Sequence, residues 1–410
     1  MSRVSERPLV AASVSAVTPL RVLHCPWNIG GQAAALAAAE REIGLKSVSV
    51  AWKTAPFGFR PDVVALPPNS GAPRRELSRF GLLWRALGSA DVVHFNLGET
   101  IFPTVSARIA ATTARGWKRR LASLALVAAW YPFRFADLKL LRARGKVMAV
   151  TFQGDDARQG DWQRQHFDNC VARVVEPSYY TPESDAWKRQ RIAAYDRHMH
   201  LIYALNPDLL HVLPPRAKFM PYATVNARSW IPAAANNRIP VILHAPSHRG
   251  AKGTAVLIET LDRLRTEGLQ FELRLVEGLD HREARKVYAE ADLLIDQLHV
   301  GFYGSLAVEL MALGKPVVCY LREGDLKFLP AAMRAELPIV NASPESLAEV
   351  LRDLLNEGRH LLAERGARSR AFVERWHDPL RIARDVAADY GAAYAAIQMR
   401  PHSSARGVPT

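Results

Sequence analysis

Short apolar runs alternate with helix-forming segments along this chain, and the alternation happens twice with a break between. In the first half LRVLHC (20–25), KSVSVAW (46–52), DVVHFN (91–96), GKVMAVTF (145–152), HLIYAL (200–205) and KFMPY (218–222) read as strands. The alanine-rich AAALAAAERE after the first of them has high helix propensity. Strands that alternate with helices pair in parallel through right-handed crossovers. TVNARSWIPAAANNRIP (224–240) interrupts the rhythm with two prolines and a pair of adjacent asparagines, and reads as a linker. The second half restarts with PVILHA, a helix from about Lys252, FELRLVEG, a helix through Glu290, DLLIDQ, a helix around Glu309, and PVVCYL. From Ser343 to about Met399 successive helices follow; SPESLAEVLRDLLNEG is the clearest, and its Ser-Pro start has N-cap character.

A chain of 410 residues is too long for one ordinary core, so two domains are expected. The 49% hydrophobic and 23% charged content is that of a globular protein. There is no apolar run of about 18 residues to span a membrane. The first 17 residues carry Glu6 and lack a compact apolar region, which reads as a disordered leader and not a signal peptide. Cys25, Cys170 and Cys319 are too scattered for a disulfide framework or a metal site, and fit a reducing cytoplasm. The net charge of +14 favours polyanions such as nucleotide diphosphates, anionic lipid or nucleic acid, or simply coats solvated helices. No helix-turn-helix, RNA-binding aromatic pair or zinc-finger spacing is present, so nucleic acid is not an expected partner.

ARGWKRRLASLALVAAWYPFRFADLKLL, from Ala114, stands apart. Basic residues flank a short apolar run rich in Leu, Ala and aromatics. One reading is a crossover helix packed on the first sheet, with Lys118, Arg119 and Arg120 in solvent. The other is an interfacial helix on anionic lipid, with Trp117, Trp130 and Tyr131 at headgroup depth.

Two segments carry chemistry. In DQLHVGFYGSLAVELMALGKP (296–316) a strand runs into a loop with Gly301 and Gly304. A helix then opens near Ser305 and holds one acid, Glu309, among apolar neighbours. Amides at a helix N-terminus suit a phosphate, and a carboxylate one turn in can accept both hydrogen bonds of a ribose diol. SHRGAKGT (247–254) follows PVILHA directly and brings Ser247, Arg249 and Lys252 to a strand end. Two fixed cations there would stabilise the charge that grows on a departing diphosphate.

Arg249, Lys252-Gly253 and VELMALGKPVV stand in the order and spacing that resembles the GT-B glycosyltransferases, and within them the large retaining family four. The resemblance covers roughly residues 20 to 395. It implies an α/β protein with two Rossmann-like domains facing across a cleft. On that resemblance Glu309 corresponds to the second acid of Glu-x7-Glu and would hold the donor ribose. Arg249 and Lys252 would bind the diphosphate, and the amides of Ser305 and Leu306 the distal phosphate. Gly30 and Gly31 resemble the glycine loop that approaches the donor across the cleft, and Glu277 sits where relatives hold the base.

Two positions depart from the family pattern. Gly301 stands where the first acid of the pair would contact the transferred sugar; amides of Gly301, Phe302 or Tyr303 would do part of its work. Gln153, in TFQGDDAR, replaces the histidine of a histidine-Gly-x-Asp motif, and Gln can hydrogen-bond a sugar but cannot act as a general base. In a retaining transferase the leaving phosphate can take the acceptor proton instead. Asp155 and Asp156 would orient an acceptor hydroxyl or cap the next helix. His94, Asn96 and Asn28 are substrate contacts or structural; Cys25 and Trp27 are packing residues. No metal is expected, and no cofactor beyond the nucleoside-diphosphate sugar itself.

The implied layout is a leader at 1–17, an acceptor domain at 18–225, a linker at 226–236 and a nucleotide-sugar domain at 237–380. A helix at 381–398 returns to the first domain, and 399–410 is a disordered tail. The implied activity is metal-independent transfer of a hexosyl group from a nucleoside-diphosphate sugar to a saccharide or lipid-linked saccharide, with retention, in envelope or capsule polysaccharide synthesis. The setting would be the cytoplasm, on the inner face of the membrane. The competing readings are a catalytically weak binding subunit of the same shape, and a nucleotide-sugar epimerase, for which the acids near the site are too few.

Overall fold

The computed structural model describes residues 19–55, 58–66, 70–104, 116–233, 237–356 and 358–399. The leader and most of the tail lie outside them. Strands β1 (Arg21–Cys25), β2 (Lys46–Ala51), β3 (Val63–Val64), β4 (Val92–Asn96), β5 (Val147–Phe152), β6 (Leu201–Ala204) and β7 (Lys218–Phe219) form one sheet. Its order is β3-β2-β1-β4-β5-β6-β7, and every pairing is parallel. The second sheet contains β8 (Val241–His244), β9 (Glu272–Leu275), β10 (Leu293–Ile295), β11 (Val317–Cys319) and β12 (Val340–Asn341), in the order β12-β11-β10-β8-β9, again all parallel. Continuous apolar runs become central strands: β4 and β5 are buried at every residue, because helices cover both faces. Strands β3 and β12 have only two paired residues each, too short to leave a period in the sequence.

Strand order reverses once in each sheet, between β1 and β4 and between β8 and β10. Such switch points leave a crevice beyond the carboxyl ends of the strands. Here the two crevices open on each other.

The halves are stitched by the end of the chain. The helix Pro379–Gln398 packs against the helix Gln32–Glu42 of the first half. Its Tyr390 hydroxyl lies 2.5 Å from Nδ1 of His94, whose Nε2 is 2.7 Å from the Thr151 hydroxyl. Asp389 accepts from Tyr203 at 2.8 Å and from Lys218 at 2.7 Å. The interrupted segment after Val225 is pinned as well: Trp230 is buried, and Arg370 donates to the carbonyls of Ala227, Trp230 and Ala312. Among the described residues no helix is long and apolar enough to cross a membrane. The helix Trp117–Trp130 does not sink into the sheet; of its described side chains only Trp130 is buried, and the others are exposed or half-buried.

Candidate active site

A cavity of about 490 Å³ lies between the two sheets. Its walls come from the loops at both switch points: Ile29 and Gly30 after β1, Leu97 after β4, Ser247, His248, Ala251 and Lys252 after β8, and Gln297 with Gly304 after β10. The turns after β5, β6 and β9 add Gln153, Asp155, Asn206 and Glu277. The central strands are short and buried, so polar residues collect where they end, and parallel pairing puts those ends on one side.

The helix Ser305–Ala312 opens onto this cavity through Gly304, Ser305 and Leu306. No side chain caps its N-terminus. Its first amides are therefore left for an anion, and the helix dipole favours one there. Lys252 lies beside them. Its Nζ is 2.7 Å from Asp296 Oδ1 and 2.8 Å from Gln297 Oε1. The other oxygen of Asp296 accepts from the Gly304 amide at 2.8 Å. One buried carboxylate thus fixes both the ammonium and the start of the helix.

Glu309, one turn in, is buried and lines the cavity. Its Oε1 is 2.9 Å from Nε2 of His281, and Oε2 has no partner among the described residues. His281 stands at the start of the helix His281–Glu290, capped by Asp280, and its ring packs on Phe59 from the first half at 4.7 Å. Tyr288 and Val276 complete that end of the cavity.

Gln153 and Asp155 form the opposite wall. Asp155 accepts from Tyr179 at 2.6 Å and from the Tyr180 hydroxyl, and lies 3.4 Å from Arg158. Burial opposes its ionisation, but the Arg158 charge and the two hydroxyls prevail and hold the carboxyl below its ordinary value. It keeps 43% of its side-chain surface open. Asp156, also on the cavity wall, accepts from the amides of Gln153 (3.0 Å) and Gly154 (2.7 Å), so it shapes the turn. Burial raises its pKa.

Among the described residues, three polar atoms of side chains lining this cavity are buried and unpartnered: Gln32 Nε2, Gln153 Nε2 and Thr224 Oγ1. Gln32 is fixed by the hydrogen bond its Oε1 accepts from the Ala223 amide at 3.0 Å. Unpaired buried donors cost free energy unless a ligand or water completes them. Three neutral groups of this kind around one cavity suit a polyhydroxylated ligand.

Eleven of the residues read from the sequence meet here: Gly30, Gln153, Asp155, Asp156, Ser247, Lys252, Glu277, Gly304, Ser305, Leu306 and Glu309. Five do not line the cavity. Arg249 faces outward, held on Glu277 with Nε 2.8 Å from Oε1, and this hydrogen bond lowers the Glu277 pKa. Gly31 starts the helix at φ 79°, closed over by Phe59. Gly301 has φ 91°, and a Cβ there would strike the Arg322 guanidinium. That guanidinium is fixed on Asp325 (2.8 Å) and the Asn169 carbonyl (2.9 Å) and lies 3.6 Å over Phe167. Phe302 and Tyr303 turn into the core, where Phe302 packs on Phe219 and the Tyr303 hydroxyl is 2.9 Å from His377. His94, Asn96 and Asn28 are likewise structural: burial keeps the His94 pKa low, Asn96 donates to the His94 carbonyl at 3.1 Å, and Asn28 accepts from the Ala34 amide at 3.0 Å.

Sequence reasoning missed Gln32, Arg158, Tyr179, Thr224 and His281. Arg158 replaces Arg249 as the second cation of the cavity, and is itself held by Asp208 at 2.7 Å. Its position within GDDAR was the available signal. Among the described residues no three His, Cys, Asp or Glu side chains converge as a metal-ligand set.

Two all-parallel Rossmann-like domains, with both switch points opening on one cleft and a final helix crossing back, define the GT-B fold, and this chain has it. Solved structures it resembles include the sucrose-phosphate synthase of Thermosynechococcus elongatus, with TM-score 0.58, 14% identity, and 92% of this chain and 100% of that one covered. Anabaena HepE in complex with UDP-glucose matches with TM-score 0.56 and 11% identity over 91% of this chain and all of that one. The catalytic domain of starch synthase IV from Arabidopsis thaliana, bound to ADP and acarbose, matches with TM-score 0.54 and 11% identity over 93% and 100%. No family model matches the sequence, and no curated protein does.

Proposed function

We propose that this protein is a glycosyltransferase that moves a hexosyl group from a nucleoside-diphosphate sugar to a saccharide hydroxyl, with retention. The observation that carries the proposal is the meeting of Lys252, an uncapped helix N-terminus and Glu309 in one cavity with three unsatisfied neutral polar groups. The diphosphate takes the Ser305 and Leu306 amides and the Lys252 ammonium. The ribose diol takes Glu309, and the base lies against Val276 and Tyr288. The hexose then faces Gln32, Gln153 and Thr224, with Asp155 beside the incoming hydroxyl. As the bond from the anomeric carbon to the phosphate oxygen breaks, the acceptor oxygen bonds to that carbon from the same face, and its proton passes to the leaving phosphate. The charge that develops is met by Lys252 and the helix amides, so this scheme needs no metal ion. The UDP-glucose bound to HepE and the ADP bound to starch synthase IV are consistent with the donor class. A lipid-linked acceptor in envelope or capsule polysaccharide synthesis, at the cytoplasmic face of a membrane, is the setting we assign.

The test is a panel of nucleoside-diphosphate sugars read by thermal shift, followed by donor turnover with and without saccharide acceptors. One donor is expected to raise the melting point, since a ligand bound only by the native state stabilises it. Absence of any shift would overturn the reading. A shift without transfer or hydrolysis would leave the binding-subunit alternative, which Gly301 and Gln153 favour.

A further inference from the structure

We infer that an outer face of the first domain, built by the helices Ala72–Ser89 and Trp117–Trp130 with the following turn Tyr131–Phe133, docks on an anionic lipid surface. The inference concerns the setting assigned to the acceptor, and it holds whether or not the cleft transfers sugar.

From Leu121 to Phe133 the chain has no charged residue. A segment so uniformly apolar belongs in a core or against lipid. Here it is covered by neither: Trp117 is 70% and Tyr131 65% exposed, with Leu121 and Phe133 exposed between and beside them. The neighbouring helix adds Leu77, Phe80 and Trp84, spaced to share one helical face, and Trp84 is 80% exposed. The two sets form one surface, because the Phe80 ring stacks on Trp130 at 5.7 Å and both rest on Phe102, at 5.6 and 4.9 Å. An exposed apolar patch of several large side chains marks an interaction site.

Charge selects the occupant. Lys118 and Arg120 on one helix and Arg74 and Arg75 on the other are exposed around the patch. Between Thr100 and Ala136 there is no acidic residue. A second copy of this chain meeting the patch isologously would set these cations against themselves. Anionic headgroups match them, with the aromatic rings at headgroup depth and the apolar run below. The helix of 14 residues is about 21 Å long, too short to span a bilayer but suited to lying in its surface. The site lies close by: Leu97 lines the cavity, and Phe102, beneath the patch, is at most about 18 Å further along the chain. A saccharide carried on a lipid would be presented near the cleft mouth.

The experiment is sedimentation of the full chain with phosphatidylcholine vesicles, with and without phosphatidylglycerol, at low and high salt. Pelleting is expected with the anionic vesicles at low salt, and its loss at high salt. Lys118→Ala with Arg120→Ala should lower the partition coefficient roughly fivefold for each cation removed. Trp84→Glu with Leu121→Glu should abolish pelleting while the melting temperature and donor binding stay unchanged. No pelleting at low salt, equal pelleting on neutral vesicles, or undiminished pelleting of the Glu variant would overturn the inference. So would a dimer in solution that the same Glu substitutions dissociate, which would identify a second copy as the occupant.

Discussion

Replacing Lys252 separates two roles that its position combines. The ammonium is 2.7 Å from Asp296, whose side chain is 0% exposed, while Lys252 itself is 14% exposed. Lys252→Met keeps the apolar stem but leaves that carboxylate without its counterion. Loss of one member of a buried pair costs about 3–5 kcal/mol, and the Gly304 amide and residual solvent place this site near the lower end, about 3 kcal/mol. Removing a preorganised donor to the leaving group costs a further factor of about 10²–10³ in turnover. Urea unfolding reads the first loss, and single-turnover transfer with a saturating donor reads the second. Adding Asp296→Asn removes the stranded charge and keeps an oxygen for the Gly304 amide, so stability should return to within about 1 kcal/mol of the parent. Turnover should stay low. If the double variant regains transfer, Lys252 serves only to neutralise Asp296 and the proposed role at the diphosphate is wrong.

Glu309→Ala should weaken donor binding about tenfold or more in calorimetry, since hydrogen bonds to a charged partner contribute about 1.5–3 kcal/mol; unchanged affinity would remove this residue from the ribose. Gly301→Glu, which supplies the acid that the Glu-x7-Glu pattern would place there, should lower stability by about 2 kcal/mol through its positive φ alone, with the Arg322 collision added, and should not raise turnover. A more active variant would contradict the packing argument. Gln32→Leu removes one unpartnered amide but also strands the buried Ala223 amide, so it should cost about 1–3 kcal/mol of stability in urea unfolding and raise the KM for the sugar donor or acceptor; an identical KM would show that no substrate reaches it. Burial holds the His377 imidazole down at about 4, against an ordinary 6.5. Between those values the unfolded chain carries the extra proton, so stability is full above pH 6.5 and falls by about 3 kcal/mol as the pH drops to about 4. Urea unfolding of the parent and His377→Gln across that range should show a shallower acid slope in the variant.

The glycine turns and strand ends around Lys252, Glu309 and Gly30 were readable because they are local: a few adjacent residues fix the turn, the helix start and the acid one turn in. Arg249 misled for the same reason. It sits in the right loop, but its direction depends on Glu277, which a different strand supplies. His281 could not be found at all, since its contact with Glu309 joins two helices that only the packing of the sheet brings side by side. The unpartnered Gln32 looked like one more residue of an alanine-rich helix until the Ala223 amide showed which way its side chain is turned.

By itself the sequence determined the alternation of strand and helix, hence two parallel layers, and the short turns at which polar residues gather. Those follow from periodicity and propensity, which act over a few neighbours. Only the tertiary structure decided which of those turns share a cavity, which cations are left facing it, and that Gly301 is empty of a side chain because Arg322 fills the space. These depend on strand order and on contacts between residues far apart in the chain, and a linear pattern does not encode distances across a fold.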